Sequence, residues 1–223
     1  MQAATRVGLL IGSSRQGGNG PGLAAWLSQL LEARLNAPGA SRAVEVVAVD
    51  PHTPPHPLGP VVDGSKLPAQ VQDPAGYASP GVRAWSAFAA SCAAFAVLSP
   101  EYNGGYPGEL KNALDHLFHE WAGKPVLLVT YGGGGGARCQ AQLRAVLEAL
   151  RMRVVPDPVG IRLPREYTGG SERVSSSGDF PSFLDPYVGA VQDTADRLRE
   201  MLVEKPAGSQ WQASCFALSL LPC

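Results

Sequence analysis

The sequence predicts an α/β fold, a parallel sheet covered by helices on both faces. Short apolar runs of strand length, at 6–11, 44–49, 94–99 and 125–130, alternate with segments whose apolar residues recur at helical spacing. The runs at 6–11, 94–99 and 125–130 are almost continuously apolar, as strands buried on both faces are. Each of those three is followed at once by a polar or glycine-rich loop. Open α/β sheets bind ligands at the carboxyl ends of their strands, so three such loops imply one shared site.

Taken in order, the first strand is Arg6 to Ile11. The first helix spans about 21–36, because Leu23, Trp26, Leu27, Leu30 and Leu31 fall on one face. Pro21 suits its first turn and Pro38-Gly39 ends it. The second strand is Val44 to Val49. The segment from Asp50 to Pro80 is rich in Pro and Gly and has no periodicity, which reads as a long functional or mobile loop. A second helix at about 81–92 places Trp85, Phe88, Ala89 and Cys92 together, and the third strand follows at 94–99. The third helix starts at Pro107 and carries a stripe of Leu110, Ala113, Leu114, Leu117 and Phe118. After the fourth strand, a helix at about 138–151 presents Leu143, Val146, Leu147 and Leu150. A fifth strand lies near 153–162, broken by Pro156 and Pro158, and a last helix spans about 181–203. Right-handed crossovers and the placement of the richest loops after strands 1, 3 and 4 fit a three-layer α/β/α, flavodoxin-like arrangement. Its five-stranded parallel sheet has the order 2-1-3-4-5. One domain is expected over 1–204, with 205–223 as a tail that docks or is disordered.

Composition narrows the function classes. A chain of 223 residues is long enough for one domain with a full core. Its formal net charge of −1 favours neither nucleic acid nor an anionic membrane surface. The apolar run near the N-terminus is too short for a signal-peptide core, and no stretch approaches a membrane span. Cys92, Cys139, Cys215 and Cys223 show no zinc or CxxC spacing, and read as free thiols of a cytoplasmic protein.

The loop Gly12-Ser13-Ser14-Arg15 joins a strand to a helix. Its hydroxyls, amides and guanidinium suit a phosphate at a helix N-terminus, although an ordinary polar turn with a capping serine has the same composition. In the stretch Pro100-Glu101-Tyr102-Asn103-Gly104-Gly105, Tyr102 offers a flat face to a planar ring, and Asn103 and the backbone offer hydrogen bonds. Glu101 serves equally well as a helix cap or an ion-pair partner. The run Gly132 to Gly136 lets main-chain amides meet a flat ligand. It also mimics a dinucleotide fingerprint, Gly132-x-Gly134-x-x-Ala137 with Asp157 further on, but five successive glycines match that pattern by accident. No P-loop and no Ser-His-Asp set is present. His116, His119 and Glu120 read as helix-end or interface residues rather than a metal site.

At these residues the chain resembles the NADPH-dependent FMN reductase family, the flavodoxin-like oxidoreductases that include quinone and azo reductases. The similarity runs over about 5–162. It is carried by Gly12-Ser13-Ser14-Arg15, by Asn19-Gly20-Pro21 to Trp26, and by Ser99-Pro100-Glu101-Tyr102-Asn103 with Pro107-Gly108-Glu109-Leu110-Lys111-Asn112-Ala113-Leu114-Asp115. Trp121-Ala122-Gly123-Lys124-Pro125 and the glycine loop complete it. The resemblance implies bound FMN, with Ser13, Arg15 and Asn19 at its phosphate. Pro100, Glu101, Tyr102, Asn103 and Gly104 line the ring, and Gly132, Gly133 and Gly134 meet its pyrimidine side. It implies ping-pong hydride transfer from NADPH or NADH to a small-molecule acceptor, with no side-chain catalytic residue, in a homodimer that uses the third helix. Three features depart from the family pattern: Gly18 stands where many relatives carry a second basic residue, the 50–80 loop is longer and richer in Pro, and the tail lies outside the pattern. A non-catalytic FMN-binding module, or a supplier of reduced flavin to a monooxygenase, remains the alternative. The sequence shows no separate ribose-phosphate site, so NADPH and NADH both stay open.

Overall fold

In a computed structural model, residues 4–39, 42–57, 59 and 66–203 are described. The strands are β1 (Thr5–Ile11), β2 (Val44–Val49), β3 (Cys92–Pro100), β4 (Pro125–Gly132), β5 (Arg153–Val154) and β6 (Val159–Arg162). The helices are α1 (Gly20–Leu35), α2 (Pro80–Ser91), α3 (Gly108–Asp115), α4 (Ala137–Ala149), α5 (Arg165–Thr168) and α6 (Val188–Val203). The strands form one parallel sheet in the order β2-β1-β3-β4-β5, with β6 also paired to β4. The chain crosses over between β1 and β3, and the predicted site lies at that point.

Side-chain alternation divides the core into two. Val7, Leu9 and Ile11 of β1 and Ala94, Ala96 and Leu98 of β3 pack under α1 and α6. Leu10, Phe95, Val97, Val126 and Leu128 face the other way, under α2, α3 and α4. On that second face Trp121 meets Trp85 and Phe95 edge-on, at centroid distances of 5.8 and 5.0 Å. Gly8 has no room for a side chain because an added Cβ would stand 2.7 Å from the Phe95 ring.

Several elements differ from the sequence reading. The fifth strand is two short strands, β5 beside the start of β4 and β6 beside its end. Pro156 and Pro158 lack the N–H a ladder needs, and Asp157 between them takes φ 54°. The third helix stops at Asp115; the Leu117 amide then donates to Leu114 across three residues, a tightening turn. The last helix begins at Val188, after a 3₁₀ segment (Ser182–Tyr187) that contains Pro186. Cys92 opens β3 instead of ending α2. Within the long 50–80 segment the chain forms two short 3₁₀ turns, Pro68–Gln70 and Pro74–Gly76. The boundary drawn at 204–205 and the predicted tail lie outside the described residues.

Candidate active site at the carboxyl ends of β1, β3 and β4

Three loops meet where the sequence placed them. After β1, the Gly12 amide donates to Leu98 of β3 at 2.8 Å, turning the chain toward α1. Ser13 is 7% exposed, and its hydroxyl lies 2.7 Å from the Tyr102 hydroxyl on the next loop. The Arg15 amide donates to Ser13 Oγ at 3.3 Å, and the Arg15 guanidinium sits 4.0 Å from the centroid of the Tyr102 ring. One tyrosine therefore joins the first loop to the second. Asn19, at the start of the helix that follows, makes no side-chain capping bond to it.

Asn19 is turned elsewhere. Its Nδ2 donates to the Tyr167 carbonyl at 2.8 Å and its Oδ1 accepts from the Val174 amide at 3.0 Å. Arg173 donates to the Gly17 carbonyl at 2.8 Å. The segment after α5 is thus clamped over the start of α1, and Gly22 is what lets it approach: an added Cβ would fall 1.9 Å from the Val174 carbonyl oxygen.

The second loop is a tight turn. The Tyr102 and Gly105 amides and carbonyls bond to each other at 2.8 and 3.0 Å, with Asn103 at φ 52° and Gly104 at φ 84°. Two successive positive φ values define a type I′ turn, for which Asn-Gly is the preferred pair. That dipeptide was a sequence signal for this geometry. The turn leaves Asn103 exposed and presents Tyr102 toward Ser13. Pro100 is the last residue of β3, in register with Tyr131.

Glu101 takes both structural roles open to it, on α4 rather than α3. Its carboxylate accepts from the Arg138 amide at 3.1 Å, and pairs with the Arg138 guanidinium at 3.0 Å. Gln142 donates to the Gly104 carbonyl at 3.0 Å. Sequence reasoning missed Arg138 and Gln142, because nothing local in the chain links residues so far apart.

The five glycines divide by function. Gly135 and Gly136 hold left-handed conformations at φ 78° and 79°, and a Cβ on Gly136 would meet Thr130 at 2.8 Å. The Gly135 amide closes on Gly132 at 3.0 Å, and Thr130 Oγ1 donates to the Gly135 carbonyl at 2.8 Å. Gly133 and Gly134 are exposed, with open space where side chains would be. Behind the loops, burial holds the Tyr131 phenol well above its ordinary pKa, with Tyr102 adding to the shift, so it stays neutral.

The competing motifs resolve as structure. Asp157, the acidic residue of the dinucleotide-like pattern, pairs with Arg197. Glu120 is buried, accepting from Ser86 Oγ at 2.5 Å and from Tyr77 and Phe118 at 3.3 Å. His116 donates to the Asn112 carbonyl at 2.6 Å and His119 to Ala69 at 2.9 Å. Among the described residues no group of three or more His, Cys, Asp and Glu converges to hold a metal. The first turn of α4 does not activate Cys139: burial raises its thiol pKa.

The chain is 36% identical to an NAD(P)H-dependent FMN reductase of Saccharomyces cerevisiae, over 71% of its own length and 81% of that protein's. It is 50% identical to an NAD(P)H-dependent FMN reductase of Schizosaccharomyces pombe over a shorter stretch, 40% of this chain and 45% of that one. A flavoenzyme NAD(P)H:(acceptor) oxidoreductase from Paracoccus denitrificans shares the fold, with a TM-score of 0.62 at 20% identity over 89% of this chain and 97% of the other. Residues 5–162 match the family described as NADPH-dependent FMN reductase. That match runs from the first residue of β1 to the last of β6, takes in every strand and all three loops of the site, and places the chain in the NADPH-dependent FMN reductase family of FMN- and NAD(P)H-using oxidoreductases.

Proposed function

We propose that the three loops hold FMN and that the chain passes hydride from NAD(P)H to a small acceptor. The observation that carries this reading is the Ser13–Tyr102–Arg15 junction beside the open backbone of Gly133 and Gly134. The residues fit the flavin. A phosphate monoester needs several donors and a cation, and the Ser13 hydroxyl, the Arg15 guanidinium and the backbone amides of the loop before α1 supply them. A planar ring needs a flat approach, which Pro100, the Tyr102–Gly104 turn and Gly132 to Gly134 provide.

When bound, the flavin would supply the redox chemistry, carrying hydride equivalents from NAD(P)H to a quinone, azo compound or second flavin. The chain's own residues bind and orient. Ser13 and Arg15 fix the phosphate, and Tyr102 transmits that position to the ring loop. Glu101 keeps the ring loop on α4 through Arg138, so its carboxylate is not free to act as an acid or base. The exposed Gly133 and Gly134 backbone would meet the pyrimidine edge, where amide donors would stabilise developing negative charge. Asn19 frames the phosphate loop from behind, through Tyr167 and Val174. We place the protein in the cytoplasm as a homodimer. The two described cysteines, Cys92 and Cys139, are free and buried, as a reducing compartment allows. Among the described residues, no helix is long and apolar enough to cross a membrane.

The test is an absorbance spectrum of protein loaded with FMN, desalted, and mixed anaerobically with NADPH. Retained flavin that bleaches is the expected result, and Arg15→Ala should lose most of the flavin on desalting. Retained flavin that stays oxidised would identify a binding module instead. Flavin lost on desalting but reduced when supplied free would identify a supplier of reduced flavin.

A further inference from the structure

Arg162 lies beside the glycine loop and Arg165 follows it by three residues, and neither belongs to the loops assigned to the flavin. Arg162 ends β6 in register with Gly132, and its Cγ lies 3.8 Å from the point where a Cβ on Gly135 would stand. Arg165 opens α5 three residues later. Both are exposed, and neither guanidinium makes a hydrogen bond or ion pair among the described residues. Other arginines of the chain are engaged: Arg138 with Glu101, Arg173 with backbone carbonyls, Arg34 and Arg199 with Asp196, Arg144 with Glu148. Glu166 lies next to Arg165 in sequence but pairs with neither.

The backbone that carries the pair is fixed to the site. The Arg162 amide donates to the Tyr187 hydroxyl at 2.9 Å, and the Leu163 amide donates to the Gly132 carbonyl at 3.0 Å. The Tyr167 carbonyl accepts from Asn19, and the Tyr167 ring packs on Phe183 at 4.7 Å. Two guanidiniums with no partner among the described residues, three positions apart on an anchored backbone that adjoins the glycine loop, match a dianionic phosphate monoester. An arginine fork binds two of its oxygens at once, where a neutral ribose hydroxyl offers it far less.

We propose that Arg162 and Arg165 bind the 2′-phosphate on the adenosine ribose of NADPH and so favour NADPH over NADH. This rests on the oxidoreductase reading above. Arg15 does not compete for the role, being committed to the phosphate of the flavin.

The experiment compares FMN-loaded wild type with an Arg162→Ala/Arg165→Ala double variant. Two quantities are measured: the ratio of kcat/KM for NADPH to that for NADH, and the affinity for 2′,5′-ADP against 5′-AMP by calorimetry. Wild type should prefer NADPH and 2′,5′-ADP. The double variant should lose about tenfold or more of both preferences, through KM rather than kcat. An Arg162→Lys/Arg165→Lys variant keeps charge without the fork and should fall between. If the alanine variant keeps both preferences, or wild type binds the two adenosine phosphates alike, the assignment is wrong. Failure of wild type to oxidise either nucleotide would instead overturn the oxidoreductase reading, while the 2′,5′-ADP titration still decides whether the arginines read a ribose phosphate.

Discussion

His56 shows how a single side chain is set by its surroundings. Its ring packs against Trp85 with centroids 5.7 Å apart, it is buried, and its Nδ1 has no hydrogen-bond partner among the described residues. Burial, with His116 adding to it, pushes the imidazole down to about 4, against the opposing effect of Asp50. The folded pKa lies below the unfolded value of about 6.5, so between them the unfolded chain binds the proton and the folded chain does not. Stability from neutral His56 is therefore complete above about pH 6.5 and is lost as pH falls toward 4, at up to about 1.4 kcal/mol per pH unit. Denaturant unfolding at pH 7 and pH 5 should show that loss, and His56→Phe should flatten it. An equally steep fall in the variant would assign the titration to another group. The residue scale also limits what a sequence can say about Asn19 and Glu101. Each carried the right polar groups for the site, but their partners, Val174 and Arg138, are brought near only by folding.

At the scale of elements, α1 and the segment over its N-terminus depend on one glycine. Helix propensity alone would favour Gly22→Ala by up to about 1 kcal/mol. The 1.9 Å approach to the Val174 carbonyl reverses the sign, because the obstacle is backbone and cannot rotate away. We expect Gly22→Ala to destabilise by roughly 1–3 kcal/mol, an overpacking cost. It should also weaken flavin retention, since the clamp through Asn19 and Arg173 holds the 12–18 loop. Gly189→Ala in α6 meets open space and should be neutral or stabilising in the same melting experiment. If both variants melt alike, the clamp is softer than its geometry implies. The elements themselves were largely legible: β2 matches its predicted limits, and α1, α2, β1 and β4 lie within two residues of theirs. The breaks at Pro156–Pro158 and Pro186 were visible as prolines, but a proline does not say whether a strand pairs again beyond it.

For the whole molecule, the open question is assembly. Leu67 is 67% exposed, and the turn that follows it packs on the segment after α3 through His119, beside the half-buried Phe118. Such an apolar edge on a polar surface is where a second copy gains most by docking. Sedimentation should therefore give twice the 23.3 kDa chain mass, and Leu67→Glu should shift the equilibrium toward monomer. A wild-type protein at single-chain mass over the micromolar range would refute the homodimer.

Local chemistry was enough for the sequence to determine the alternation of strands and helices and the sheet order, and the resemblance of its loops pointed to the family. Buried strands need continuous apolar runs, helices need apolar stripes at helical spacing, and a phosphate loop needs small and basic residues at a helix start. Which side chains meet across those loops was decided only by the tertiary structure. Tyr102 joins Ser13 and Arg15, Arg138 pairs with Glu101, and Arg162 comes to lie beside Gly135. These pairs are separated by between 27 and 89 residues. No local propensity encodes contacts at that range; they follow from parallel crossovers that bring the carboxyl ends of distant strands to one edge of the sheet.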